Sequence, residues 1–177
     1  IIPYLNLKEE VYHVRFCLPK YLRDKHSETP KMLGFPGVPV DIYQERNLKS
    51  GTYDVIITEG EFKAVAASQL GLPCLSIPGI SSFSKKHFPR LTELLKSSKI
   101  KKVYILFDNE VKDDPQFPSY KPEPHNRYDT QYYAILMAWQ LETAGFETLV
   151  ASLPDKWRVN GKIDIDGALG AGKDTSD

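Results

Sequence analysis

Between residues 51 and 153 the chain alternates short apolar runs with stretches whose apolar positions recur at helical spacing. Asp54-Val55-Ile56-Ile57-Thr58 is β-branched and bounded by polar residues, which predicts a buried strand. From Glu61 to Leu70, Phe62, Val65, Ala66 and the Gln69-Leu70 pair fall at helical spacing, and Gly71 stops the pattern. Cys74 to Ile77 predicts a second strand, closed by Pro78-Gly79. Phe88 to Leu95 predicts a helix with Pro89 near its first turn. Lys102 to Phe107 predicts a third strand. Tyr128 to Thr143 predicts a long helix with Tyr132, Ile135, Leu136 and Trp139 on one face, ending at Gly145. Glu147 to Leu153 predicts a fourth strand. Repetition of this kind predicts an α/β fold: a mostly parallel sheet of about four strands with helices on both faces.

The first 50 residues read differently. Glu10 to Cys17 alternates like a half-exposed strand, Lys20 to Pro30 is polar and basic, and Pro36, Gly37 and Pro39 break the next stretch. Val40-Asp41-Ile42-Tyr43 predicts another short strand. The expectation is a small β-rich, basic subdomain over residues 1–50 and an α/β domain over 51–177. Residues 112–127 hold Pro115, Pro118, Pro122 and Pro124, a loop inserted between the third strand and the long helix.

Composition narrows the class. Of 177 residues, 41% are apolar and 26% charged, enough apolar surface for a core and too much for a disordered chain. Lys plus Arg and Asp plus Glu number 23 each, so any nucleic-acid contact must rest on local patches. No run of about 18 apolar residues exists, so no membrane partner is expected. Cys17 and Cys74 have no neighbour at metal-ligand spacing, and the four histidines form no zinc pattern. The expectation is a reduced, cytoplasmic protein with two buried thiols. The start at Ile1 suggests a fragment of a larger protein.

Ligand sites of open parallel sheets lie at the C-terminal ends of the strands. The first strand of the α/β unit ends at Glu59-Gly60 and the third at Asp108-Asn109-Glu110, and Asp164 and Asp166 lie beyond the fourth. Carboxylates gathered at one edge repel unless a cation joins them. Hard oxygen donors suit Mg²⁺ or Mn²⁺, which bind substrate phosphates and support phosphoryl transfer. Gly60 permits close approach of the backbone to a ligand, and the amides opening the next helix favour anions. Lys63, one turn on, is placed either to reach an anion or to pair with a carboxylate. No GxGxxG follows the first strand, which argues against a nicotinamide site.

Here the residues carry a resemblance. Val55-Ile56-Ile57-Thr58-Glu59-Gly60-Glu61-Phe62-Lys63-Ala64 resembles the first motif of the TOPRIM domain. Lys102-Val103-Tyr104-Ile105-Leu106-Phe107-Asp108-Asn109-Glu110 resembles its second, an apolar strand ending in DxD, with Glu110 in the place of the second Asp. Leu75 to Ser82 looks like the strand-and-turn segment of phage primase–helicases and DnaG-type primases. Lys162-Ile163-Asp164-Ile165-Asp166 is similar to the KDPD-like segment of primases. The resemblance covers about residues 50–170. It implies an acid–base role for Glu59 and Mg²⁺ or Mn²⁺ binding by Asp108 and, in the place of the second Asp, by Glu110; Asp164 and Asp166, beyond the fourth strand, are further candidate metal ligands.

Pro19-Lys20-Tyr21-Leu22 and Ser27-Glu28-Thr29-Pro30-Lys31 look like the PKYL…SPETP-type segment of the subdomain that contacts template in DnaG-type primases. Residues 11–31 hold Arg15, Lys20, Arg23, Lys25 and Lys31 against Asp24 and Glu28, with Tyr12, Phe16 and Tyr21 interleaved. Basic groups track phosphates and aromatics stack bases. Arg15, Lys20, Tyr21 and Lys31 are thus candidate nucleic-acid contacts, and Lys85 and Lys86 candidate phosphate contacts. The resemblance implies a Mg²⁺-dependent primase of a phage, plasmid or integrated element. It would take single-stranded DNA and nucleoside triphosphates, with a helicase or other replication domain as partner. A TOPRIM nuclease and a catalytically degenerate DNA- or protein-binding module are the alternatives.

Overall fold

The structure, a computed structural model, describes residues 1–25, 31–38, 40–48, 52–80, 83, 87–110, 130–157 and 162–170. Its centre is a four-stranded, all-parallel sheet made of β4 (Asp54–Glu59), β5 (Cys74–Ile77), β6 (Lys102–Ile105) and β8 (Glu147–Val150), in the order β5-β4-β6-β8. Helix α2 (Glu61–Gln69) connects β4 to β5. Helix α3 (His87–Ser97) leads from β5 back across β4 to β6, and α4 (Thr130–Thr143) lies between β6 and β8. A right-handed crossover fixes which face each helix covers, so a reversal of direction sends successive helices to opposite faces.

Two cores result. Leu91, Leu94 and Leu95 of α3 and Ala134, Met137 and Leu141 of α4 pack on Val55, Ile57, Leu75, Ile77, Val103 and Ile105. On the other face Ala64, Ala66 and Ala67 of α2 and Ile165 of α5 (Ile165–Gly170) pack with Cys74, Leu106 and Tyr43. The expected α/β class, with helices on both faces of a parallel sheet, is the observed one.

Details depart from the expectation. In α4 the buried residues are Thr130, Ala134, Met137 and Leu141, whereas Ile135 and Trp139 are 62% and 63% exposed. The expected Tyr132/Ile135/Leu136/Trp139 face is therefore not the packed one. The helix is apolar all round, so spacing alone does not choose a face. In α2 the alanines are buried against Cys74 of β5 and Phe62 points outward. Residues 40–43 do not form a strand. Tyr43 makes a single antiparallel bridge to Ser76, with N–H···O distances of 2.8 and 3.1 Å, and covers the open edge of β5.

The N-terminal part is an antiparallel sheet of β1 (Ile2–Leu5), β2 (Val11–Cys17) and β3 (Met32–Leu33), with a short helix α1 (Lys20–Lys25) between the last two. It shares a core with the α/β unit: Tyr4, 1% exposed, packs in the α2 cluster. A two-stranded ladder of β7 (Asn109–Glu110) and β9 (Lys162–Ile163) was not foreseen in the pattern. Cys17 and Cys74 are unbonded; Cys74 is buried, Cys17 only partly. Among the described residues no helix is long and apolar enough to cross a membrane. The proline-rich stretch 112–127 lies outside the described residues.

Candidate functional site

From β4 the chain runs outward to β5, then returns past β4 to β6 and β8. Connections leave β4 and β6 in opposite directions, and between such neighbours a crevice opens at the carboxyl ends of the strands. Glu59 is the last residue of β4, and Asp108 lies three residues beyond β6. The register Ile57↔Ile105 and the bond from Leu106 N–H to Ile57 O (2.9 Å) carry both strands to the same end. The two residues singled out in the sequence thus stand at the same end of neighbouring strands, where a crevice of that kind opens.

Gly60 makes the turn between Glu59 and α2 with φ +82° and ψ 140°. That region is open essentially to glycine alone. The turn directs the start of α2 back over the strand end. Lys63, in the first turn of α2, places its Nζ 2.9 Å from Asp108 Oδ1. A Cβ on Gly60 would stand 4.0 Å from that ammonium, so the cation lies above the Glu59-Gly60 turn. Both side chains of the pair are largely withdrawn from water, 13% exposed for Lys63 and 5% for Asp108. A carboxylate at that depth requires a positive partner, and Lys63 supplies it.

The start of α4 holds Asp108 from behind. Thr130 Oγ1 donates to the Asp108 carbonyl at 2.6 Å and Gln131 Nε2 at 3.2 Å. Sequence reading missed these two residues; a Thr-Gln pair where a helix follows a proline-rich stretch is the signal that was there. The β7–β9 register, Asn109↔Ile163 and Glu110↔Lys162, makes Asp108 and Asp164 the next residues on its two strands. Asp164 Oδ1 accepts from Gly167 N–H at 2.9 Å, capping α5. A Cβ on Gly167 would come within 2.4 Å of that oxygen, so a larger residue there would displace the Asp164 carboxylate from its cap. Asp166 is exposed in the first turn of α5.

Of the remaining candidates, Arg15 pairs with Glu61 at 2.5 Å, next to the Gly60 turn. Tyr4 Oη donates to the same carboxylate oxygen at 2.5 Å. Burial, and then the neighbouring Glu61 carboxylate, push the Tyr4 phenol well above its ordinary range. Lys31 extends over the Phe62 ring, 5.3 Å from its centroid. Lys20 and Tyr21 are exposed on α1. The N-terminal part is therefore docked on the first turn of α2, through Glu61 and Phe62. The side chain of Glu110 and the residues Lys85 and Lys86 lie outside the described residues.

The donor set at the crevice consists of carboxylate oxygens. Among the described residues no group of three or more His, Cys, Asp or Glu is arranged to hold a metal ion. Mg²⁺ commonly takes only one or two carboxylates and completes its shell with water and substrate phosphates. Glu59 and Asp108 fit that chemistry, and the buried Asp108 carboxylate already has a cation against it.

A family model described as "Domain of unknown function (DUF3854)" matches residues 46–118. The matched stretch contains β4, α2, β5, α3 and β6, and with them Glu59-Gly60, Lys63 and Asp108. No curated protein and no solved structure matches the chain.

Proposed function

We propose that the chain is a TOPRIM-like, primase-type module that handles nucleotide phosphates with a divalent cation at the crevice between β4 and β6. The observation that carries this is the convergence of Glu59 and Asp108 on the carboxyl ends of two adjacent parallel strands, where the winding of the sheet reverses. In this reading Glu59 moves the proton of the attacking hydroxyl. Asp108 would hold Mg²⁺ or Mn²⁺, with Glu110, Asp164 and Asp166 as neighbouring acidic groups. The cation, when bound, supplies charge to the phosphoryl oxygens. Lys63 and the Gly60 turn face the anion. Lys20, Tyr21 and Lys31 form the exposed basic and aromatic surface for single-stranded DNA, with Lys85 and Lys86 as phosphate contacts. Nucleoside triphosphates are the co-substrate, a helicase or other replication domain is the partner, and the cytoplasm is the compartment.

One observation favours a second reading. Lys63 occupies the cation position at Asp108, which suits a degenerate module that binds DNA or protein without catalysis. Primer synthesis on a single-stranded template with Mg²⁺ or Mn²⁺ separates the two. Glu59→Gln and Asp108→Asn are each expected to lower it by at least about a hundredfold, with unchanged circular dichroism. Metal-dependent synthesis equal in wild type and both variants would contradict the assignment. Metal-dependent strand cleavage in its place, lost in the same variants, would indicate a nuclease.

A further inference from the structure

The Lys63–Asp108 pair has a consequence for how a cation enters. Asp108 is among the most deeply buried charged groups described, and its carboxylate stands 2.9 Å from the Lys63 ammonium. A second cation on the same carboxylate would lie within a few ångströms of that ammonium, where low effective dielectric makes repulsion strong. The two cannot share the position. Lys63 is also built to leave: an ammonium on a flexible four-carbon stem reorients without moving the helix that carries it. The turn beside it is a glycine, and nothing else comes within 4 Å of the Cβ position there.

We propose that Lys63 is a built-in counter-cation at Asp108, which a divalent ion must displace. This rests on the reading of Asp108 as a metal ligand. The ammonium balances the Asp108 charge and lowers the metal affinity of the crevice. Once displaced, it stands over the Gly60 turn with its charge available to an anionic ligand. A merely supporting role for Lys63 carries the opposite sign: it would hold Asp108 in place, and its loss would weaken metal binding.

The test is calorimetric titration with Mn²⁺ of wild type, Lys63→Gln, Lys63→Arg and Asp108→Asn. Gln keeps a hydrogen-bond donor without the charge. Lys63→Gln is expected to bind about tenfold more tightly than wild type, and Lys63→Arg within about twofold of it. A second readout uses wild type alone. Acetylation of Lys63 by acetic anhydride, followed by mass spectrometry, is expected to quicken at saturating Mn²⁺, because the ammonium has left its carboxylate. Binding by Lys63→Gln alone would support the proposal in its strongest form. Unchanged or weaker binding in Lys63→Gln, with binding abolished in Asp108→Asn, would overturn it and leave the metal site standing. If Lys63→Gln does not fold, unchanged or slower labelling of Lys63 at saturating Mn²⁺ would overturn it equally. Absence of binding in wild type and Lys63→Gln alike would remove the metal reading and this proposal together.

Discussion

Glu61 comes directly after the Gly60 turn and is 5% exposed, yet it carries both Tyr4 and Arg15 on one oxygen. A buried carboxylate is tolerated only when its charge and lone pairs are met. The N-terminal sheet meets them, which explains why that sheet stays on α2. His13 lies in the same layer, 7% exposed, its ring 4.8 Å from that of Tyr4. Burial, and then the nearby Arg15 charge, hold its pKa below the ordinary imidazole value, with Asp41 and Glu61 opposing. The folded state thus resists the proton that the unfolded chain accepts. As pH falls through the ordinary histidine range, near about 6.5, the unfolded state binds more protons and stability drops. Thermal melts between about pH 7.5 and 5.5 are expected to show a falling Tm in wild type and a flatter profile in His13→Phe. Equal slopes in the two would contradict this placement of His13.

Helices α2 and α4 show where element-level reading succeeds and where it stops. Their existence and approximate ends came from spacing and from Gly71 and Gly145, which stand at φ +76° and +96° just after each helix. Their packed faces did not. Tyr132, Tyr133, Ile135, Leu136, Met137 and Trp139 surround α4 with apolar side chains, and only the neighbouring strands decide which are covered. The cost of truncation should track the observed face. Met137→Ala is expected to lose about 2–5 kcal/mol, and Ile135→Ala to stay within about 0.5 kcal/mol of wild type, by urea unfolding. Comparable losses at both positions would mean that α4 is turned otherwise. The reactive chemistry of the strands is quieter. Cys74, buried in β5, has its thiol pushed up to about 12 by desolvation, so it packs as a small apolar residue.

At the scale of the molecule, strand content and strand-end chemistry were readable because each β-strand is a short contiguous run. The order β5-β4-β6-β8 was not, since parallel pairing joins residues far apart in sequence. That order is what brings Glu59 and Asp108 to one crevice. The Lys63–Asp108 pair spans 45 residues (108 − 63), the Arg15–Glu61 pair 46, and the β7–β9 ladder joins residues 109–110 to 162–163. No local pattern announces such partnerships. The sequence offered Lys63 two fates, an anion contact or a carboxylate partner, and the fold displays the second. Asp164 was expected at the metal edge because it lies beyond the fourth strand; its Oδ1 also caps α5, a role shared by many aspartates before short helices.

The proposed chemistry stands or falls on a divalent cation at the sheet edge shared by Glu59 and Asp108. Calorimetric titration of the whole chain with Mn²⁺, wild type beside Asp108→Asn, addresses that cation without any substrate. Saturable binding is expected in wild type and is expected to be lost in the variant, while both proteins unfold cooperatively. Binding of Mn²⁺ that is the same in the two proteins would contradict a metal site at Asp108.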